Sequence, residues 1–228
     1  MYFFWNLLLA HLLADFTFQT DRIAKWKREN ISGVFFHVLI FLFFAVVVNY
    51  QYLPRRDFAL ALLLLGITHA VEDQWRVISV TKYHSHDNIF LFLYDQLVHI
   101  LLIFILAPAD PPYVTTEKWI YILLIGIIVT HFAMIFIYFL KKLFDEKTLF
   151  ISKEKYHGIV ERLLIFGCFI IAGNWFWLGI VTIVMLVIVE RRFIRRFKKD
   201  LDFSVFNIVA SNIIAVSCAI LARQIWLM

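Results

Sequence analysis

Leu7-Leu8-Leu9-Ala10-His11-Leu12-Leu13-Ala14-Asp15 is an apolar run interrupted by one histidine and one aspartate, spaced i to i+4. The run around it is long enough to cross a bilayer as a helix. At this spacing the two polar side chains share a helix face. Ionisable groups inside apolar spans are costly and point to function. The spacing returns at His69 and Asp73 within Thr68-His69-Ala70-Val71-Glu72-Asp73, and in reverse in Asp95-Gln96-Leu97-Val98-His99.

The rest of the chain has the same apolar character. Of its 228 residues 62% are hydrophobic and 18% aromatic, against roughly 45–50% apolar in a soluble domain. The apolar residues form continuous blocks rather than alternating ones, which predicts transmembrane helices and excludes a barrel. The formal charge of +5 then reads as the cytoplasmic excess of Lys and Arg in a membrane protein, not as a nucleic-acid signal. Cys168 and Cys218 both lie in apolar runs and indicate no disulfide framework. The first run lacks a basic leader and a small-residue cleavage site, so it reads as a mature helix.

The expected fold is an all-α polytopic transmembrane bundle of about eight spans: 2–20, 34–52, 58–78, 88–107, 118–141, 159–174, 176–193 and 204–226. The sixth and seventh are short and meet at Gly173-Asn174, so they also fit a tight hairpin. Residues 1–107 form a His/Asp-bearing four-helix half, 108–117 an external loop, and 118–228 a four-helix scaffold half. Basic residues set the orientation. Arg22, Lys25, Lys27, Arg28, Arg76, Lys82, Lys141, Lys142, Lys147, Lys153, Lys155 and the run from Arg191 to Lys199 put 17 on one side; Arg55, Arg56, Lys118 and Arg223 put 4 on the other. The larger set belongs in the cytoplasm, which leaves both termini outside.

The first two spans correspond to the next two. His11 to His69, Asp15 to Asp73 and His37 to Asp95 are each 58 residues apart, which reads as a duplicated helical hairpin. At about 1.5 Å of rise per residue, Asp15, Asp73 and Asp95 fall at one depth in the cytoplasmic half. His11, His69 and His99 fall one turn deeper, and His37 at or just below the aspartates. Imidazole and carboxylate are ligands for zinc, manganese or iron. His11, Asp15, His37, His69, Asp73, Asp95 and His99 are therefore candidate ligands for one or two divalent ions, zinc first. Asp15, Asp73 and Asp95 are the candidate catalytic carboxylates, one of them left free as base for a metal-bound water. The competing readings are buried histidines bonded to neighbouring carboxylates without metal, and a proton or ion pathway.

Gln19, Gln74, Arg76 and Gln96 line the expected cytoplasmic mouth, either gripping a polar or phosphorylated head group or anchoring the helices at the interface. His84-Ser85-His86-Asp87 reads as a solvated turn, with an extra metal site as the alternative. Glu72 points about 100° from Asp73. Glu161 and Arg162, with Glu190, suggest an interhelical ion pair. His131 reads as a packed histidine, and Asn207 and Asn212 as interhelical hydrogen-bonding residues. The basic stretches 22–28 and 191–199 should lie on anionic lipid head groups.

Leu9-Ala10-His11-Leu12-Leu13-Ala14-Asp15-Phe16 with Gln19-Thr20-Asp21, the pair His69/Asp73, Asp95-Gln96-Leu97-Val98-His99 and Glu161-Arg162-Leu163-Leu164-Ile165 together resemble the bacterial membrane family called domain of unknown function 3307. The likeness covers most of the chain and is strongest over 7–99. The Lys and Gly-Thr near that family's last helix are poorly matched here. More distantly, the His-x-x-x-Asp pattern is similar to those of zinc phospholipase C-like and membrane-bound metal-dependent hydrolases and of cation diffusion facilitators. The expectation is a membrane metal-dependent hydrolase acting on a lipid-linked or phosphorylated head group from the cytoplasmic face. A divalent-cation or proton-coupled transporter and a non-catalytic membrane subunit are the alternatives. The bilayer is the expected partner, with no nucleic acid; the oligomeric state stays open.

Overall fold

A computed structural model describes residues 1–112, 114–144, 152–171, 180, 183–185 and 205–227. The described residues are helical or lie in turns, with no strand among them. They divide into two compact units, Met1–Ile120 and Tyr121–Met228.

In the first unit α1 (Tyr2–Leu12) runs into a π-helical segment, Leu13–Phe18. Caps then set two helices: α2, in what the sequence leaves as a loop, and α3, the expected second span. Thr20 accepts the amide of Ile23 to start α2 (Asp21–Glu29), and Asn30 ends α2 while accepting the amide of Ser32 to start α3 (Ile31–Val48). Side-chain oxygens at these positions satisfy amides that have no partner in the first turn. The expected second span therefore ends at Val48 rather than 52, and Tyr50–Tyr52 form a separate 3₁₀ turn. The long α4 (Arg56–Thr81) and α5 (Ile89–Leu106, capped by Asn88) complete the unit. Helix α1 packs on α3 and α5, and α4 packs on α3 and α5, so the four close into a ring. Helix α2 lies against α3 and α4.

The distribution of side chains is inverted relative to a water-soluble bundle. Phe35, Leu39, Phe43 and Val47 form an exposed ridge on α3, and Leu60, Leu63, Ile67 and Val71 one on α4. Asn6, His11, His37, His69, Asp73, Asp95 and His99 are buried inside. Large apolar surface outward and polar groups inward is what a lipid solvent selects. Among the described residues four helices are long and apolar enough to cross a membrane: Ile31–Val48, Ile89–Leu106, Lys118–Phe144 and Phe206–Leu227; Tyr2–Phe18 is a shorter apolar helix. At the end of the ring away from α2, Phe3, Phe58 and Tyr52 pack together and Asn6 donates to Asn49 at 3.0 Å.

In the second unit α6 (Lys118–Ile127) continues through a π segment, Ile128–Phe132, into α7 (Ala133–Phe144). It is followed by α8 (Ser152–Ile171) and α9 (Val205–Leu227). Val129, Ile165 and Phe166 pack with Ala215, Ala219 and Ala222, small residues that let α8 and α9 approach closely. Arg162 is buried and donates to Ser211 Oγ at 3.1 Å and to the Thr130 carbonyl at 3.0 Å, while Glu161 accepts from Asn212 at 3.5 Å. Among the described residues the acceptors of Arg162 are thus neutral; the expected Glu–Arg pair between helices also involves Glu190, which is not among them. Gly173-Asn174, Glu190, Lys147 and the basic run 191–199 lie outside the described residues.

Candidate metal centre

The centre sits where α1, α3, α4 and α5 face one another, at the end of the ring covered by α2. Asp15 lies in the π segment, which widens the turn at a point where such insertions often serve function. Its Oδ1 is 3.1 Å from His37 Nε2, 3.4 Å from His11 Nδ1 and 3.6 Å from His69 Nε2. Asp73 Oδ2 is 3.6 Å from His37 Nε2 and 3.7 Å from His69 Nε2. Two imidazole nitrogens and two carboxylate oxygens from four different positions therefore close a ring with edges of 3.1–3.7 Å. Ligands about 2.0–2.1 Å from a tetrahedral ion stand about 3.3–3.4 Å apart. The two overlapping sets, His11/Asp15/His69 and His37/His69/Asp73, each bring their ligand atoms within 4.8 Å of one another.

Gln96 fixes the hydrogen atoms. Its amide nitrogen faces two carboxylates, Asp95 Oδ2 at 3.1 Å and Asp15 Oδ2 at 3.4 Å, so its Oε1 must be the atom 3.3 Å from His11 Nε2. A carbonyl only accepts, so His11 carries a proton on Nε2 and, when neutral, a bare lone pair on Nδ1. That lone pair faces the carboxylate of Asp15. Two acceptors aimed at each other call for a cation or a proton between them. His99 is set in the same way: Nδ1 donates to the Asp95 carbonyl at 2.8 Å, leaving Nε2 buried without a hydrogen-bond partner among the described residues. His69 Nε2 also lacks one. The His69 ring stacks on Phe41, and the His11 and His99 rings stack at 5.0 Å. These ring contacts hold the imidazoles in place without using His11 Nδ1, His69 Nε2 or His99 Nε2.

Not every candidate falls in the ring. His99 stands beside it, its ring centre 4.4 Å from that of His69. Asp95 lies outside the ring: its Oδ2 accepts from Arg76 at 2.8 Å and from Gln96, while its Oδ1 is buried without a hydrogen-bond partner among the described residues. Arg76 also meets Asp87 at 3.3 Å, which ties down the carboxylate of the His84–Asp87 turn. Of the four expected mouth residues, Gln96 is buried within the cluster, Arg76 is an internal counter-ion, Gln19 accepts from Lys27, and Gln74 keeps a buried Oε1 without a partner. Glu72 is half-buried with an unbonded Oε1. His131 lies in the second unit's π segment, its Nδ1 2.9 Å from Thr130 Oγ1.

Sequence reasoning missed Lys27. Its place in the basic stretch 22–28 predicts a cation on lipid head groups, but it is buried, and its Nζ lies 2.7 Å from Asp73 Oδ2 and 2.9 Å from Gln19 Oε1. The available signal was its place on the Ile23/Ala24 face of a short helix whose other basic residues, Arg22, Lys25 and Arg28, are exposed.

Comparison with known proteins adds one assignment. No curated protein and no solved structure matches the chain. A family model described as protein of unknown function, DUF3307, matches residues 3–123, which contain every residue of the centre. That match spans more than half of the 228 residues, and the chain belongs to the DUF3307 family.

Proposed function

We propose that this membrane protein is a metalloprotein of the bacterial inner membrane, with about eight spans, a duplicated N-terminal hairpin and external termini. It holds one divalent ion, zinc by ligand chemistry, through His37, His69, Asp15 and Asp73, with His11 as a further ligand. The observation that carries this reading is the closed ring of four ligand atoms with edges of 3.1–3.7 Å. Its orphaned histidine nitrogens support it. A single ion is favoured over two, because Asp95, the ligand a second ion would need, is neutralised by Arg76.

The reaction we infer is hydrolysis of a lipid-linked or phosphorylated head group entering from the α2 side. A divalent ion there would acidify a water and polarise a phosphoryl oxygen. With Asp15 and Asp73 both spent as ligands, Asp95 is the carboxylate left free, and it would take the water's proton on the Oδ1 that has no hydrogen-bond partner among the described residues. Gln96 and His99 hold the cluster's orientation. A transport reading is favoured by one observation, the internal cation Lys27 on Asp73, which resembles a carried ion's stand-in.

Elemental analysis of the purified chain tests the proposal. About one retained ion per chain is the expected result, with hydrolysis of a phosphorylated lipid lost on chelation. Metal flux across sealed vesicles without hydrolysis would favour transport. A chain with no metal under any loading condition would leave a non-catalytic subunit.

A further inference from the structure

We propose that Lys27 is a tethered cation that occupies the Asp73 side of the centre and is expelled when a divalent ion binds, so that it sets the charge of cation the site accepts. The proposal rests on the reading of the centre as a metal site. Lys27 Nζ lies 2.7 Å from Asp73 Oδ2, the same oxygen that closes the ring to His37 and His69. A charged ammonium has three donors and no lone pair, so it cannot be a ligand. Seated on that oxygen, it would stand about 4 Å from an ion bound at the usual metal–oxygen distance.

Charge counting gives the same result. Asp95 is balanced by Arg76. With the histidines neutral, Asp15 and Asp73 against Lys27 leave one negative charge in a buried site. A divalent ion beside the seated lysine overcharges that site by one, whereas with the lysine withdrawn the ion balances the two carboxylates. In a low-dielectric interior the balanced arrangement wins.

The fold provides for movement of this one side chain. A Cβ on Gly33 would come within 2.6 Å of the Lys27 amide nitrogen and of the Trp26 carbonyl carbon, so the backbone of α2 is seated tightly on the start of α3. The lysine stem is the part left to move. Gln19 Oε1, 2.9 Å from Nζ, is a neutral acceptor on a half-buried residue, one step from the carboxylate toward water.

The test uses the full chain in detergent with zinc or cobalt alone as the probe. An amine-reactive reagent is read at Lys27 by mass spectrometry, with exposed Lys25 as the internal reference. We expect Lys27 to be protected without metal and to label at least about tenfold faster once one ion per chain is bound, the scale on which a neighbouring unit charge shifts an ionic equilibrium. The Lys27→Met chain should bind the ion more tightly by a similar factor. Unchanged Lys27 labelling at full metal occupancy overturns the proposal, as does equal or weaker binding by Lys27→Met. Labelling alone decides if Lys27→Met does not fold. A chain that takes up no metal in either form removes the metal centre itself, and this inference with it.

Discussion

Gln96 has its amide orientation imposed by two carboxylates, and through that it dictates which nitrogen of His11 carries hydrogen. Replacing it by leucine should therefore weaken metal binding by about 10–100-fold, the usual cost of losing a group that orients a ligating histidine, while the chain still inserts. Competition with a calibrated chelator reads the change. The ring residues should behave more severely. Asp73→Asn and His69→Ala are each expected to abolish stoichiometric metal, because each removes an edge-sharing ligand. His131→Ala should keep the metal and cost about 0.5–3 kcal/mol at most, as for an ordinary point change. Metal per chain, with folded yield in detergent as control, checks both. Metal lost with His131→Ala and kept with Asp73→Asn would place the site in the other unit. Asp95 should differ again. Asp95→Asn is expected to retain metal but to strand Arg76, which is only partly exposed to solvent, at a cost of roughly 1–3 kcal/mol; Arg76→Met on top of it should recover part of that. The recovery separates a counter-ion from a ligand.

At the level of helices, the π segment at Leu13–Phe18 and the short α2 decide how the centre is closed. The i to i+4 pairs were legible in the sequence because helix geometry alone puts His69 and Asp73 on one face, and the 58-residue spacing showed that the faces come from matched helices. His37 was legible by the same register. What could not be read was the partner of each carboxylate. Asp95 matches His37 in spacing, but only packing brings Arg76 to it from α4. Lys27 was misjudged because a lysine next to an apolar span ordinarily faces water; its burial needs α2 to fold back on α3, and that depends on a glycine. Gly33→Ala tests the dependence. Its methyl would press into backbone atoms at 2.6 Å, where no side-chain rotation relieves it. We expect α2 to lift, Lys27 to label without metal, and stability to fall by about 1–3 kcal/mol, the range for overpacking. Protection of Lys27 unchanged in Gly33→Ala would mean that α2 is held by other contacts.

For the whole molecule, the question is which side of the membrane reaches the centre. The ring of helices has two chemically different ends. One carries Arg55, Asp57 and Asp110, with Arg55 donating to Asp57 at 2.5 Å and to the Ala109 carbonyl at 3.0 Å. The other carries α2, with Arg22, Lys25 and Arg28 exposed beside the buried cluster. Removing Lys27 from the solvent-facing cations barely alters the imbalance of basic residues, because the 17-to-4 excess does not rest on any single one. Positively charged flanks are retained in the cytoplasm, so the α2 end, and the entrance to the centre, should face inward. A reporter fused after Arg28 or Lys142 is expected to read cytoplasmic, and one at Asp110 external. A membrane-impermeant thiol reagent applied to intact cells should then label a cysteine at Asp110 but not one at Lys25. Labelling of Lys25→Cys from outside would invert the molecule: the centre would open to the exterior, and a head group presented on the cytoplasmic leaflet would no longer fit as substrate even if the metal were bound.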